Sequence, residues 1–138
     1  MKTLLARLVW GRRARAALAA ARADLATTPV DAIVAATGAM PPGRPAPVAL
    51  RGFARALRAA LEAEGEPRPC LPRAVALLRE ARRRGVAATL VLGVARAPDA
   101  TRPVVAHAWL EVAGAPFFEA PTTPGAYAAI ARLPPDGR

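Results

Sequence analysis

The fold is decided by the stretch CLPRAVALLREARRRGVAATLVLGV, which runs from residue 70 to residue 94. Its first half places apolar residues on one helical face, at Leu71, Ala74, Val75, Leu78 and Ala81. Gly85 predicts the end of this helix, because glycine readily adopts the left-handed backbone that closes helices. The second half is rich in β-forming residues from Thr89 to Val94. The stretch therefore predicts a change from helix to sheet at Gly85.

The chain before Cys70 has helical character. A basic helix is expected from Met1 to about Leu25. A short helix is expected to begin at Pro29, with Thr28 as its N-cap, and to end near Gly38. The segment from Met40 to Pro47 contains four prolines and is predicted to be a loop. A stronger helix then ends at Gly65, with an apolar stripe formed by Leu50, Phe53, Leu57 and Leu61.

The chain after Gly85 has strand character. A second strand is predicted from Val104 to Val112, a tight turn at Ala113-Gly114, and a third strand from about Ala115 to Glu119. One short helix is predicted around residues 126–131. Helices followed by strands indicate the α+β class, here N-terminal helices followed by a three-stranded antiparallel sheet.

The length of 138 residues fits one domain, residues 1–138. We divide it into a helical N-terminal part (1–66), a core (67–120) and a C-terminal tail (121–138). Arginines interrupt every apolar run near the N-terminus, so neither a membrane span nor a secretory signal is predicted. Together with the single cysteine, this favours a cytoplasmic protein.

The composition excludes several kinds of chemistry. The chain contains no Ser, Asn or Gln, so a serine nucleophile is excluded. It has one Cys and one His, too few for an ordinary zinc site, and no cofactor is predicted. The net charge of +10 comes from 19 Arg and 1 Lys. This excess fits codon bias in a GC-rich genome or an acidic partner. The low aromatic content of 4% argues against a nucleic-acid partner.

Cys70 is the one side chain that could serve as a strong nucleophile. It follows the stiff connector Pro67-Arg68-Pro69 and lies at the predicted start of a helix. The dipole and the free N–H groups of a helix N-terminus favour a thiolate there. The structural alternative is a buried thiol without chemistry, because free cysteines are often buried.

His107 lies inside the second predicted strand. Alternation places His107 and Trp109 on the more polar face, opposite the apolar residues Ala108, Leu110 and Val112. One Cys on a helix start and one His on a strand make a possible thiolate–imidazolium pair, although a lone strand histidine is often only structural.

Such a pair needs an acceptor that orients the imidazole. Glu111 shares the face of His107 but lies about 13 Å away along the strand. Glu119 lies on the third strand, about 5 Å beside the second, and is the best geometric candidate. Asp99 remains a further candidate.

Taken together, these segments resemble the stand-alone leader peptidase family of lasso-peptide biosynthesis. The resemblance covers residues 68–120, and it is carried by CLPRAVALL (70–78), RRRGV (82–86), LGV (92–94) and AHAWLE (106–111) with Gly114. It implies a transglutaminase-like, papain-related fold with a Cys-His-Asp triad. By this resemblance Cys70 is the nucleophile and His107 the general base and acid. The family's Asp falls at Glu119, which is one methylene longer.

The resemblance implies a cysteine protease that removes the leader peptide from a lasso-peptide precursor. The partners it implies are the precursor, a small leader-recognition protein and an ATP-dependent lasso cyclase. Three alternatives stay open from the sequence. They are another transglutaminase-like cysteine hydrolase or acyl transferase, a non-catalytic precursor-binding protein, and an Arg-rich nucleic-acid-binding protein.

Overall fold

The structure is a computed structural model that describes residues 4–42, 46–65, 69–96, 104–119 and 123–134. The elements within these residues follow one another as α1 (Leu4–Leu25), α2 (Val30–Ala35), α3 (Val48–Glu64), α4 (Cys70–Arg83), β1 (Ala88–Arg96), β2 (Val104–Val112), β3 (Ala115–Phe117), α5 (Thr123–Ala126) and β4 (Ala128–Leu133). The first four of these helices precede the strands, and the short α5 lies between β3 and β4. This separation of helices and strands confirms the α+β class.

The helices α1, α3 and α4 form one layer that packs against the sheet through α4. The largest fully buried side chains come from both layers and include Leu18, Phe53, Leu57, Leu78, Leu90 and Leu110. At the end of α4, Gly85 has φ of +69° and donates its N–H to the carbonyl of Arg82 at 3.1 Å. The predicted helix end at Gly85 is therefore confirmed.

Helix α1 is the longest of the described helices, with 22 residues, and it carries five arginines. Only its later part enters the core, where Ala14, Leu18 and Ala21 are fully buried. Its first two turns leave Leu4 and Leu8 exposed to solvent. Among the described residues, no helix combines the length and the apolar content needed to cross a bilayer.

The sheet has the strand order β3-β2-β1-β4, and every neighbouring pair is antiparallel. The predicted meander from β1 through β3 is confirmed. The predicted number of three strands is wrong, because residues 128–133 form a fourth strand on the free edge of β1. An alanine-rich segment has good helix propensity. Pairing with β1, however, gives hydrogen-bond partners to backbone N–H and C=O groups that would be unpaired at an open sheet edge.

This fourth strand also corrects the helix predicted around residues 126–131, since α5 ends at Ala126. The strand lies within the segment 121–138 that was predicted to be a tail. The predicted division points at residues 66 and 120 fall outside the described residues, and the division stays a prediction.

Several arginines bind carboxylates that join the helices. Glu80 on α4 is only 5% exposed and accepts hydrogen bonds from Arg13 of α1 at 2.9 Å and from Arg84 at 2.7 Å. Arg79 binds Asp24 at the end of α1 at 2.5 Å. A buried carboxylate is tolerated only when it is paired and hydrogen-bonded. Part of the arginine content is therefore structural.

Candidate active site

Cys70 is the first residue of α4, and its position follows from the local sequence. Pro69 precedes the helix, and its carbonyl accepts the N–H of Arg73 at 3.0 Å. Pro72 lies in the first turn, where a missing N–H costs no helical hydrogen bond. The half-buried Cys70 sulfur accepts a hydrogen bond from the main-chain N–H of Ala108 on β2. The start of α4 is thereby brought against the strand that carries His107.

His107 links the thiol to a carboxylate. Its Nε2 lies 3.2 Å from Oε2 of Glu119, and its ring also shares a hydrogen bond with the side chain of Cys70. The imidazole therefore interacts with the carboxylate and with the thiol through one ring. The structure therefore brings Cys70, His107 and Glu119 together.

Glu119 reaches His107 through a kink in the backbone. The register pairs Leu110 with Phe117, so a regular continuation would place Glu119 opposite Ala108 and on the face away from His107. Phe118 instead has φ of +56°, a left-handed conformation that no strand residue adopts. The kink ends β3 at Phe117, whereas the sequence predicted a strand to Glu119. Such strained residues often accompany functional sites.

Arg73 is a site residue that the sequence analysis missed. Its Nη2 donates to Oε1 of Glu119 at 2.5 Å, and the Glu119 side chain is only 8% exposed. Arg73 lies three residues after Cys70, on the same face of α4. That spacing was the available signal, since a basic residue one turn after a nucleophile can bind the carboxylate of the site. The two oxygens of Glu119 are thus divided between Arg73 and His107.

These contacts favour the charged forms of Cys70 and His107. The hydrogen bond from His107 lowers the pKa of Cys70 against the opposing effect of burial, and the Ala108 N–H and the Arg73 charge lower it further. The hydrogen bonds to Cys70 and to Glu119 raise the pKa of His107 to about 9. Cys70 therefore loses its proton below the usual thiol range, while His107 keeps its own. Both shifts favour the thiolate–imidazolium form of the pair over the neutral thiol and imidazole.

Two aromatic rings surround His107. The Trp109 ring stacks near it with centroids 5.7 Å apart, and the Tyr127 ring lies at 5.1 Å. Trp109 is only 3% exposed, so the polar environment predicted for it is wrong. The six-membered part of its indole lies over Gly93, which pairs directly with His107. Tyr127 comes from the segment predicted to be a tail and was missed for that reason.

Gly93 is required by this packing, and we expect Gly93→Ala to disturb the site. A Cβ at this position would lie 2.6 Å from the Trp109 ring and 3.1 Å from Cβ of Tyr127. Such overpacking costs about 1 to 3 kcal/mol of unfolding free energy, which chemical denaturation measures. Gly125→Ala is the matched control, because nothing lies within 4 Å of its added Cβ. Equal stability of the two variants would contradict this packing.

The other candidate carboxylates stand apart from the triad. Glu111 accepts a hydrogen bond from Arg132 and therefore belongs to a pair that links β2 to β4 across the intervening strand β1. Asp99 lies outside the described residues. Within the described part of the chain, no group of three His, Cys, Asp or Glu side chains could hold a metal ion. The arrangement suits nucleophilic attack by a thiolate, with His107 moving the proton.

A family model described as the transglutaminase-like superfamily matches residues 3–132. The chain belongs to the transglutaminase-like superfamily. The match is wider than the motifs around Cys70 and His107, because it also includes the N-terminal helices and most of β4. The superfamily commonly contains cysteine hydrolases and acyl transferases. Searches of curated proteins and of solved structures each found no significant match. The transglutaminase-like assignment therefore rests on the family model.

Proposed function

We propose that this transglutaminase-like protein is a cysteine peptidase that removes the leader peptide from a lasso-peptide precursor. The observation that carries the proposal is the hydrogen-bonded series Cys70, His107 and Glu119. The motifs around these residues resemble those of stand-alone leader peptidases. Charge separation between a thiol and an imidazole is the activation that peptide cleavage by cysteine requires.

In the first half-reaction, the Cys70 thiolate attacks the carbonyl carbon of the last leader residue. The first main-chain N–H groups of α4, which have no acceptor within the helix, are available to stabilise the developing oxyanion. The C–N bond breaks as His107 gives its proton to the leaving nitrogen. The products are a thioester on Cys70, a neutral imidazole and a core peptide with a free amino terminus.

In the second half-reaction, water attacks the thioester. Neutral His107 takes a proton from the water, and the sulfur leaves as a thiolate. The leader departs with a carboxyl terminus, and the thiolate–imidazolium pair is restored. Glu119 stabilises the imidazolium form of His107, and Arg73 holds Glu119 in place. No net change of protons on the protein is required.

The proposal includes two protein partners in the same cytoplasmic route. A small leader-recognition protein presents the precursor, and an ATP-dependent lasso cyclase uses the product. The chemistry supports this order, because cyclisation onto the core peptide needs the amino group that leader removal frees.

The test is incubation of the purified protein with the precursor peptide encoded beside its gene, with and without the recognition protein. Mass spectrometry of the products is expected to show one cleavage, between leader and core, that is faster when the recognition protein is present. Transfer of the leader to an added amine would instead support an acyl transferase. Precursor that stays intact under all conditions would refute the proposed peptidase.

A further inference from the structure

A groove of about 490 Å³ lies between α1 and α3, and its described lining residues come from these two helices. Its floor is made of small residues, namely Gly11, Gly52, Ala56, Ala59, Ala60 and Ala63. Helices α1 and α3 run in the same direction along the groove. Trp10 of α1 contacts Phe53 near the start of α3, and Arg22 of α1 binds Glu64 at the end of α3. The lining of the groove spans residues 52–64 of α3, about 18 Å of helix, which is the length that a partner helix of about twelve residues covers.

The groove continues into exposed apolar surface on α1. Leu4 and Leu8 are 73% and 56% exposed. They precede Gly11 by seven and three residues, so they share its face of the helix. Large apolar side chains that stand in solvent beside an apolar channel are typical of a surface that a partner covers.

The charged side chains that line the groove are mostly basic. Arg7, Arg15 and Arg55 line it, and none of the three binds a carboxylate anywhere in the described part of the chain. Among the described residues that line the groove, Glu64 is the single acid, and it already binds Arg22 at 2.6 Å. The occupant that complements this rim carries carboxylates on both sides of an apolar stripe.

We infer that the groove between α1 and α3 binds an acidic amphipathic helix of the leader-recognition protein. The apolar stripe of that helix packs on the alanine floor and on Leu4 and Leu8, and its carboxylates meet the three arginines. A second copy of this chain fits poorly, because the net charge of +10 would set arginines against arginines. The inference rests on the proposed function, which supplies the partner.

The experiment measures the Kd between this protein and the recognition protein loaded with leader peptide. Ala59→Glu places a carboxylate on the exposed floor while keeping a helix-forming residue. Ala20→Glu is the control, because it makes the same change at an exposed position of α1. Ala20 lies nine residues from Gly11, which places it on the opposite side of the helix. We expect Ala59→Glu to raise the Kd at least about tenfold, as a charge buried at an interface does, and Ala20→Glu to change it less than about twofold.

A second pair of variants tests the rim. Arg55→Glu is expected to raise the Kd and to weaken its dependence on salt, whereas Arg12→Glu, an exposed change of equal charge outside the groove, has little effect. Equal losses in groove and control variants would overturn the inference, and so would unchanged binding in both groove variants. Dimerisation of the wild-type protein that Ala59→Glu abolishes, or binding of the free leader to the groove, would also overturn it.

Two different measurements test the groove and the proposed peptidase activity. Alkylation of Cys70 by iodoacetamide reports the catalytic thiol without any partner, and we expect the groove variants to leave its rate unchanged. Lost partner binding with unchanged alkylation supports the groove. Binding that depends on the groove, together with a precursor that stays intact, supports the groove and refutes the peptidase.

Discussion

Cys70→Ala is expected to abolish cleavage of the precursor, with a loss of at least about 10⁴-fold in rate, because no other side chain can form the thioester. Cys70 is the sole cysteine of the chain, so no second thiol can replace it. The fold should remain, since alanine suits a helix start that is only half buried. The measurement is product formation by mass spectrometry, with circular dichroism to confirm that the variant is folded.

Contamination is the main competing source of cleavage in this experiment. The wild-type and variant proteins should therefore be purified in parallel and assayed at equal concentration. Cleavage by folded Cys70→Ala at a rate close to that of the wild type would exclude Cys70 as the nucleophile.

Glu119→Ala is expected to lower kcat by about 10- to 1000-fold and to change KM little. The physical reason is that Glu119 acts on the imidazole of His107, at 3.2 Å, and not on the bound peptide. Its removal also leaves the guanidinium of Arg73 without its carboxylate partner. Glu111→Ala is the matched control, because Glu111 is bound to Arg132 and away from the triad. Equal kcat for Glu119→Ala and Glu111→Ala would remove Glu119 from the site.

Glu119→Asp keeps the negative charge at position 119 and shortens the side chain. The Glu119 carboxylate spans Arg73 at 2.5 Å and His107 at 3.2 Å, and aspartate is shorter by one C–C bond, about 1.5 Å. It cannot keep both contacts unless the kinked backbone at Phe118 moves. We therefore expect Glu119→Asp to have a kcat between those of the wild type and Glu119→Ala. A kcat at or above the wild-type value would show that the backbone retains the geometry of the family's Asp.

The sequence predicted the elements whose signals are local. Short-range periodicity predicted the apolar stripes of α3 and α4. Turn chemistry predicted the helix end at Gly85 and the strands on either side of the Ala113-Gly114 turn. Each of these elements is present. The pairing of Cys70 with His107 was predictable for a different reason. Because the chain has one cysteine and one histidine, any site that pairs a thiol with an imidazole must use Cys70 and His107.

The features that were missed depend on tertiary context. Residues 128–133 are rich in alanine, and only the open edge of β1 makes them a strand. The burial of Trp109 depends on Gly93 of the neighbouring strand and on Tyr127. Glu119 lies 3.2 Å from His107, but the sequence placed it on a regular strand, which would have turned its side chain to the other face. The left-handed Phe118 that corrects its direction has no short-range signal, because such a conformation is unfavourable for phenylalanine.

The central claim is that Cys70 is held as a thiolate by His107, and the pH dependence of Cys70 alkylation tests it most directly. Because the chain has one cysteine, iodoacetamide reports that thiol alone. An ordinary thiol with a pKa of about 8.5 is about 0.3% ionised at pH 6. The hydrogen bond from His107 lowers the pKa of Cys70, and the pKa of His107 is about 9, so the ion pair persists from the lowered thiol pKa up to about pH 9.

The wild-type rate is therefore expected to rise less steeply with pH than that of His107→Ala, and to exceed it at pH 6 by at least about tenfold. The rate of His107→Ala should rise about tenfold for each pH unit below the thiol pKa. A wild-type rate that rises with the same slope, and equals that of His107→Ala at pH 6, would contradict the account.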